Sequence, residues 1–147
     1  MKGKISLSGL DAVLNGINAA AKRVVDGGKR VIYSEADTIV HEAQLNAPVD
    51  KHNLEKAITR DKGSLRGFRF VITISVGGFV GDVDVTKYAL LIHENYSSMK
   101  PGPGTLQKRQ QNPGRYVGEK FLERALNDRR GRLIRVVGQF VDKEWRL

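Results

Sequence analysis

The chain has no cysteine and only four prolines among its 147 residues. Without thiols it forms no disulfide, thiolate metal site or cysteine nucleophile, and this composition is typical of a reducing compartment such as the cytoplasm. Aromatic residues make up 7% of the chain, and no apolar run approaches the roughly 20 residues that a membrane span requires. The sequence therefore predicts a single domain with a modest core, made in the cytoplasm and without membrane contact.

Residue types that carry catalysis or hold metals are sparse. The three histidines, His41, His52 and His93, have no spacing that makes a metal site, and the glycine pairs lack the Lys-Ser/Thr of a phosphate loop. His93 and Glu94 would face different directions on a helix, which argues against an acid–base pair. We therefore expect no enzymatic activity, no cofactor and no metal.

Positive charge is abundant and is concentrated in the last third. The net charge is +9, and residues 100–147 carry 12 basic and 5 acidic groups. Such a block attracts nucleic acid or an acidic protein surface. The charge alone leaves both partners open.

Apolar residues at spacings of three and four predict a long first helix that ends near Asn46, before Pro48. Ser8 with Asp11 predicts its N-terminal cap. At Gly27-Gly28 we expect a bent or weakened helix rather than two helices. An unbroken helix of about 37 residues would be ~55 Å long and would overhang a compact domain. Its apolar face would then need cover from something else, most simply a neighbouring subunit.

Shorter elements are predicted between residues 50 and 95. Asp50 is expected to cap a helix over 51–58, and a strand is expected over 68–76 after a turn at 61–63. A weaker strand over 79–85 is expected to pair antiparallel with it. Thr86 is expected to cap a short helix over 87–95.

Residues 95–115 contain three prolines, three glycines and basic charges only. They predict a long structureless loop, either mobile or ordered against a partner or a channel. Helical periodicity returns from Tyr116 as a second long helix. The predicted fold over 1–147 is a single α+β domain of two long helices packed with a small antiparallel β-sheet, plus short connecting helices and one long flexible loop.

Three short motifs lie at predicted joins between these elements. The first is Ala47-Pro48-Val49-Asp50 with Asn53-Leu54, the second is Tyr88-Ala89-Leu90-Leu91-Ile92-His93-Glu94, and the third is Gly118-Glu119-Lys120-Phe121-Leu122-Glu123-Arg124-Ala125-Leu126. In this order they resemble the tail-completion proteins of tailed phages, the head–tail joining components of the neck. The resemblance spans roughly residues 10–126.

The chain departs from that family at two turns. Family members usually have Thr-Gly where Lys51-His52 stands here, so left-handed glycine geometry is not assumed there. Their second motif usually ends in Glu-x-Gly, where this chain has His93-Glu94-Asn95. Asparagine is the residue next best able to adopt a positive φ, so this departure is mild.

The resemblance implies a structural virion protein, a minor tail component that completes the tail and joins it to the head connector. It implies a homo-oligomeric ring, six-fold like the tail, with the head connector or stopper protein and the tail terminator or tail tube protein as partners. DNA would only pass through the lumen. The chain would lie in the host cytoplasm during assembly and then at the head–tail junction. The expected interface residues are Tyr88, His93, Glu94, Lys100, Lys108, Arg109, Arg115, Arg129, Arg130, Arg132 and Trp145.

The resemblance also implies that deleting residues 97–112 should leave the chain folded but block head–tail joining. Two other interpretations stay open. The main alternative is a basic nucleic-acid-binding protein, which would use Arg129-Arg130-Gly131-Arg132 with Tyr116 and Trp145 as stacking groups. An adaptor of another kind is a third interpretation.

Overall fold

A computed structural model describes residues 10–66 and 69–146. The α+β fold is confirmed, because the two long helices pack together and short helices and two-stranded antiparallel sheets lie along the C-terminal half of α1. The cap predicted at Ser8 and the strand residue Phe68 lie outside the described residues. The elements are α1 (Leu10–Asn46), α2 (Asn53–Lys56), β1 (Ile58–Arg60), β2 (Ser64–Arg66), β3 (Arg69–Val71), β4 (Ile74–Val76), β5 (Phe79–Val80), β6 (Val83–Asp84), α3 (Thr86–Asn95), α4 (Pro103–Gln111) and α5 (Phe121–Trp145).

Helix α1 runs through the glycine pair without a break, so one helix rather than two is confirmed. Gly27 is buried, and a Cβ there would collide with the ring of Phe140 on α5. At Gly28 the nearest ring atom would be 3.8 Å away, which is ordinary contact. Gly27 therefore allows the two long helices to approach closely, whereas nothing in the packing requires glycine at position 28.

Helix α5 runs antiparallel to α1 and covers much of its length. Arg129 reaches Glu42 near the end of α1, and Phe140 lies against Gly27 farther back. The cover expected from a neighbouring subunit is thus supplied largely by the chain itself. Ile17 and Val25 nevertheless remain 52% and 51% exposed.

The single strand predicted over 68–76 is wrong in its continuity, because β3 and β4 belong to different sheets. β4 pairs with β1, with Ile58 opposite Val76, while β3 forms a hairpin with β2. The carboxylate of Asp61 accepts hydrogen bonds from the backbone N–H of Gly63 at 2.8 Å and of Thr73 at 3.0 Å. These bonds turn the chain at Gly63 and hold Thr73 in place between β3 and β4, where the chain passes from one sheet to the other.

The neighbouring predictions need similar correction. Ile58 begins a strand rather than ending a helix. Residues 79–85 do not pair with the preceding strand, since β5 and β6 form their own hairpin around Gly81. Thr86 lies inside α3 rather than capping it, and its hydroxyl accepts a hydrogen bond from Gly78 N–H at 2.8 Å.

The prediction of a structureless 95–115 segment is wrong. It contains a 3-10 turn at Tyr96–Ser98 and helix α4, which begins at Pro103, the first helical position where proline is favoured. Thr105 and Lys108 of α4 are buried. The segment therefore orders against its own chain, and the expectation that deleting 97–112 leaves the chain folded loses its basis.

The core lies at the end of the helix pair where the short elements gather. Beyond it, α1 and α5 continue as a two-helix arm. None of the helices within the described residues has the length and apolarity needed to cross a membrane. The buried apolar cluster is Ile39, Ala43, Ala47, Leu54, Ala57, Ile58, Val85, Ala89, Phe121 and Ala125.

Candidate protein-interaction site

The three sequence motifs meet in one place, which we call the motif junction (residues 46–54, 88–94 and 118–126). The backbone N–H of Gly118 donates to the carbonyl of Asn46 at 2.9 Å, and that of Lys120 donates to the carbonyl of His93 at 2.7 Å. The ring of His93 packs edge-on against Phe121, with 4.8 Å between centroids. Segments far apart in sequence are thereby joined by both backbone bonds and ring packing.

The turn after α1 is held by Thr105 from α4. Its hydroxyl accepts a hydrogen bond from the N–H of Val49 at 2.9 Å and donates to the carbonyl of the same residue at 3.0 Å. The hydroxyl of Tyr96 donates to it at 3.0 Å. Thr105 therefore uses its full hydrogen-bonding capacity on this turn.

Lys108, one turn farther along α4, caps the C-terminus of α1. Its Nζ donates to the carbonyls of Gln44 at 2.5 Å and Ala47 at 2.8 Å, and to the carboxylate of Glu55. A cation at a helix C-terminus satisfies unpaired carbonyls and complements the helix dipole. Burial lowers the pKa of Lys108, while the bond to Glu55 opposes that shift. Lys108 was predicted as an interface residue, but its charge is used inside the chain.

Left-handed geometry is present at His52 without a glycine. His52 has φ 59° and ψ 8°, and its Nδ1 lies 2.6 Å from a carboxylate oxygen of Glu55. The turn therefore takes a left-handed conformation, which glycine favours, at a residue that is not glycine. Asn95 does not take a positive φ; its φ is −130°.

A surface groove opens beside the motif junction, with a volume of about 440 Å³. Ile92 and Met99 supply apolar walls, and Tyr88, Lys100 and Asp50 supply polar groups. Burial, followed by the negative charge of Asp50, raises the pKa of Tyr88, so its hydroxyl stays protonated at neutral pH. The groove suits an apolar side chain of a partner protein, and the polar groups are those of the groove itself.

His93 and Glu94 lie closer together than their adjacent positions predicted. Nδ1 of His93 is 2.8 Å from Oε1 of Glu94, so the argument that they face apart is wrong here. The side chain of Lys120 also binds Glu94. The hydrogen bond from Lys120, followed by that from His93, lowers the pKa of Glu94. The result is an ion cluster at the edge of the motif junction.

Arginines predicted as partner contacts mostly bind groups of this chain. Arg115 and Arg129 each donate to a different oxygen of Glu42, at 2.8 and 2.9 Å. Arg109 donates twice to the carbonyl of Val117, at 3.1 and 2.8 Å. These side chains tie the last third of the chain to itself.

The remaining predicted residues lie along α5. Arg132 lies 3.6 Å from Glu35, whose side chain is buried. Arg130 and Trp145 are exposed, and Arg130 forms no ion pair or side-chain hydrogen bond within residues 10–66 and 69–146. The predicted residues thus separate into the groove and its edge, internal ties, and exposed positions on α5.

Sequence reasoning missed the acidic partners on α1. Glu35 and Glu42 are seven residues apart and share a helix face, and that spacing could have been matched to Arg129 and Arg132. Burial raises the pKa of Glu42, but the hydrogen bonds from Arg115 and Arg129 outweigh it and leave that pKa lowered.

The arrangement contains packing surfaces and ion pairs. Across the parts of the chain that the structure describes, no three or more His, Asp or Glu side chains are grouped so that they could hold a metal ion. Comparison with known proteins gives no matching family model, no matching curated protein and no matching solved structure.

Proposed function

We propose that this chain is a phage neck protein that completes the tail and joins it to the head connector. The motif junction is the observation that carries the proposal. The three motifs behind the resemblance interlock through Gly118 with Asn46, Lys120 with His93, and the rings of His93 and Phe121. The segments that carry the resemblance thus form one structural unit.

A joining role also fits the surfaces of the molecule. The groove at Tyr88 and Lys100 has the size and mixed lining to hold an apolar side chain of an adjoining protein. The exposed apolar residues on the two-helix arm, including Ile17 and Val25, supply further contact area. In this proposal copies of the chain form a ring, six-fold like the tail, that contacts the head connector and the tail.

The nucleic-acid alternative has less support from the geometry. Much of the basic excess of the last third is bound within the chain, through Lys108, Arg115 and Arg129. Tyr116, a predicted stacking group, lies under the guanidinium of Arg124 at 4.6 Å. A neck protein that meets DNA only in transit needs no strong affinity for it.

The proposal is tested by gold-labelled antibody against the chain, with electron microscopy of phage particles that encode it. We expect label at the head–tail junction. Label elsewhere on the tail would show that the protein occupies another position in the virion. Intact particles without label, alongside a positive signal in infected-cell extract, would remove the virion role.

A groove variant tests how the joining works. In a phage lacking the gene, we expect supplied Lys100→Glu protein to leave more unjoined heads and tails than the parent. Lys87→Glu is the matched control, because Lys87 is highly exposed and lies outside the lining of the groove. Equal particle yields for both variants would show that the groove is not needed for head–tail joining.

DNA binding distinguishes the alternative. We expect weak binding of free duplex DNA at physiological salt. An affinity that is strong at low salt and falls by about 10³-fold or more between 50 and 200 mM salt, as for a protein that neutralises several phosphates, would favour the nucleic-acid interpretation.

A further inference from the structure

Helix α5 carries an apolar stripe that the described part of the chain leaves exposed. Ile134 is 65% and Trp145 is 62% exposed, and Val141 between them is also exposed. Residues seven and four apart lie on one helix face. Large apolar side chains aligned on an open face indicate contact with another surface.

Two glycines complete the stripe. Gly131 and Gly138 fall on the same face, and a Cβ on either would meet no atom within 4 Å. Glycine inside a helix weakens it relative to alanine, and packing among the described residues requires neither residue. The spacing of 131, 134, 138, 141 and 145 follows a heptad, with glycine at 131 and 138 and large apolar residues at the other three positions. Such a face presents notches and projections that fit a second helix at close range.

The charges beside the stripe identify that second helix. Arg135 and Asp142 flank it on one side, one heptad apart and opposite in sign. Neither forms an ion pair or a side-chain hydrogen bond in the described ranges. When two identical helices pack antiparallel, equivalent flanking positions face each other. Arg135 of each copy then meets Asp142 of the other, so the two-fold arrangement forms two equivalent ion pairs.

We propose that two copies of this chain associate through antiparallel packing of their α5 stripes. Ile134 of one copy lies against Trp145 of the other, and Gly138 lies against Val141, which gives four layers related by a two-fold axis. In the two central layers Gly138 leaves room for Val141, and in the two outer layers Ile134 and Trp145 bury large apolar side chains against each other.

The exposed face of α1 is a poorer occupant for the stripe. Its exposed basic residues Lys22, Arg23 and Arg30 line a groove shared with Phe140 and Glu144 of α5. A second α5 helix laid along that groove would bring Arg130 and Arg135 close to these cations. Like charges at such a contact are unfavourable. The antiparallel pair of α5 helices avoids this opposition.

The association is tested by sedimentation velocity on the full chain from about 10 µM to 1 mM, because an interface this short lies at the weak end of the range. We expect a dimer whose dissociation constant rises at least about tenfold in Arg135→Asp and in Asp142→Arg. The double variant should return close to the parent value. Lys143→Asp is the matched control, since it makes the same change in charge on the opposite side of α5. The inference would be overturned by a chain that stays monomeric throughout. It would also be overturned by a dimer whose dissociation constant is unchanged in both charge variants.

The absence of native cysteine allows the register to be tested directly. Mixing Gly138→Cys with Val141→Cys should give a disulfide-linked dimer under mild oxidation faster than either variant alone. Faster linkage of Gly138→Cys with itself would indicate another register and overturn the antiparallel arrangement. The inference concerns the free chain and does not rest on the neck assignment. A monomeric chain found at the head–tail junction would remove this inference alone.

Discussion

Thr105 binds both backbone polar groups of Val49, accepting from its N–H at 2.9 Å and donating to its carbonyl at 3.0 Å. The two residues are 56 positions apart. One buried hydroxyl thus fixes the turn after α1 and anchors α4.

Replacing Thr105 by valine keeps the shape but removes the hydroxyl. The polar groups of Val49 and the hydroxyl of Tyr96 are then left without this partner. Because buried unsatisfied groups cost about 1–3 kcal/mol each, we expect a loss of about 2–4 kcal/mol in the free energy of unfolding, measured with urea. Thr59→Val, at an exposed strand position, is the control and should change stability by less than about 0.5 kcal/mol. Equal effects would contradict the role of Thr105.

The two glycines of α1 should respond in opposite directions to alanine. Gly28→Ala should raise the free energy of unfolding by about 0.5–1 kcal/mol, because alanine favours helix and the added methyl meets only ordinary contacts. Gly27→Ala should lower it, because Phe140 must leave its place against α1. Urea unfolding of both variants checks the order, and a more stable Gly27→Ala would refute the close approach.

Acid should weaken the fold in part through Glu42. Its pKa is lowered from 4.5, so near that pH the unfolded chain binds more protons and stability falls as the pH drops. At pH 7 we expect Glu42→Gln to lose about 2 kcal/mol, since bonds to two arginines are weakened. The deficit should shrink as the pH falls below 4.5.

This deficit is measured by comparing the free energy of unfolding of the parent and of Glu42→Gln as a function of pH. Glu123→Gln is the control, because Glu123 is exposed and its ion pair with Lys120 is longer, at 3.4 Å. A deficit for Glu42→Gln that stayed constant between pH 7 and pH 3 would show that its carboxylate charge is not responsible.

Position 52 should prefer glycine to alanine. Both substitutions remove the imidazole, so they differ only in the Cβ, which is disfavoured at the φ of 59° found there. We expect His52→Gly to be more stable than His52→Ala by about 1 kcal/mol, the reverse of the usual order. Thermal unfolding of the two proteins compares them directly. A more stable alanine variant would mean that the turn has changed its conformation.

The long helices were predictable because their signals are local. The apolar period and Pro48 placed the end of α1 at Asn46, where the structure has it. The Asp61-Lys62-Gly63 turn was also predictable, since Gly63 has a positive φ and its N–H binds the carboxylate of Asp61.

Other features depend on residues far apart in sequence. The sequence of α4 predicted a loop because it is rich in polar residues. Its order comes from hydrogen bonds of Thr105 with Val49 and of Lys108 with Ala47, which are 56 and 61 residues away. The break at Thr73 depends on Asp61, 12 residues earlier. Local periodicity carries no information about such bonds, so β1, β2, the pairing of the strands and the internal ties of the arginines were missed.

The pairing of the first long helix with the last has a consequence for synthesis. Glu42 and Arg129 are 87 positions apart, a stretch that takes about 4–17 s to translate at 5–20 residues per second. Throughout that interval the newborn amino-terminal segment lacks its intramolecular cover. Productive folding is therefore expected only after translation is nearly complete, and a ribosome that stalls before α5 emerges would leave an apolar surface open to aggregation.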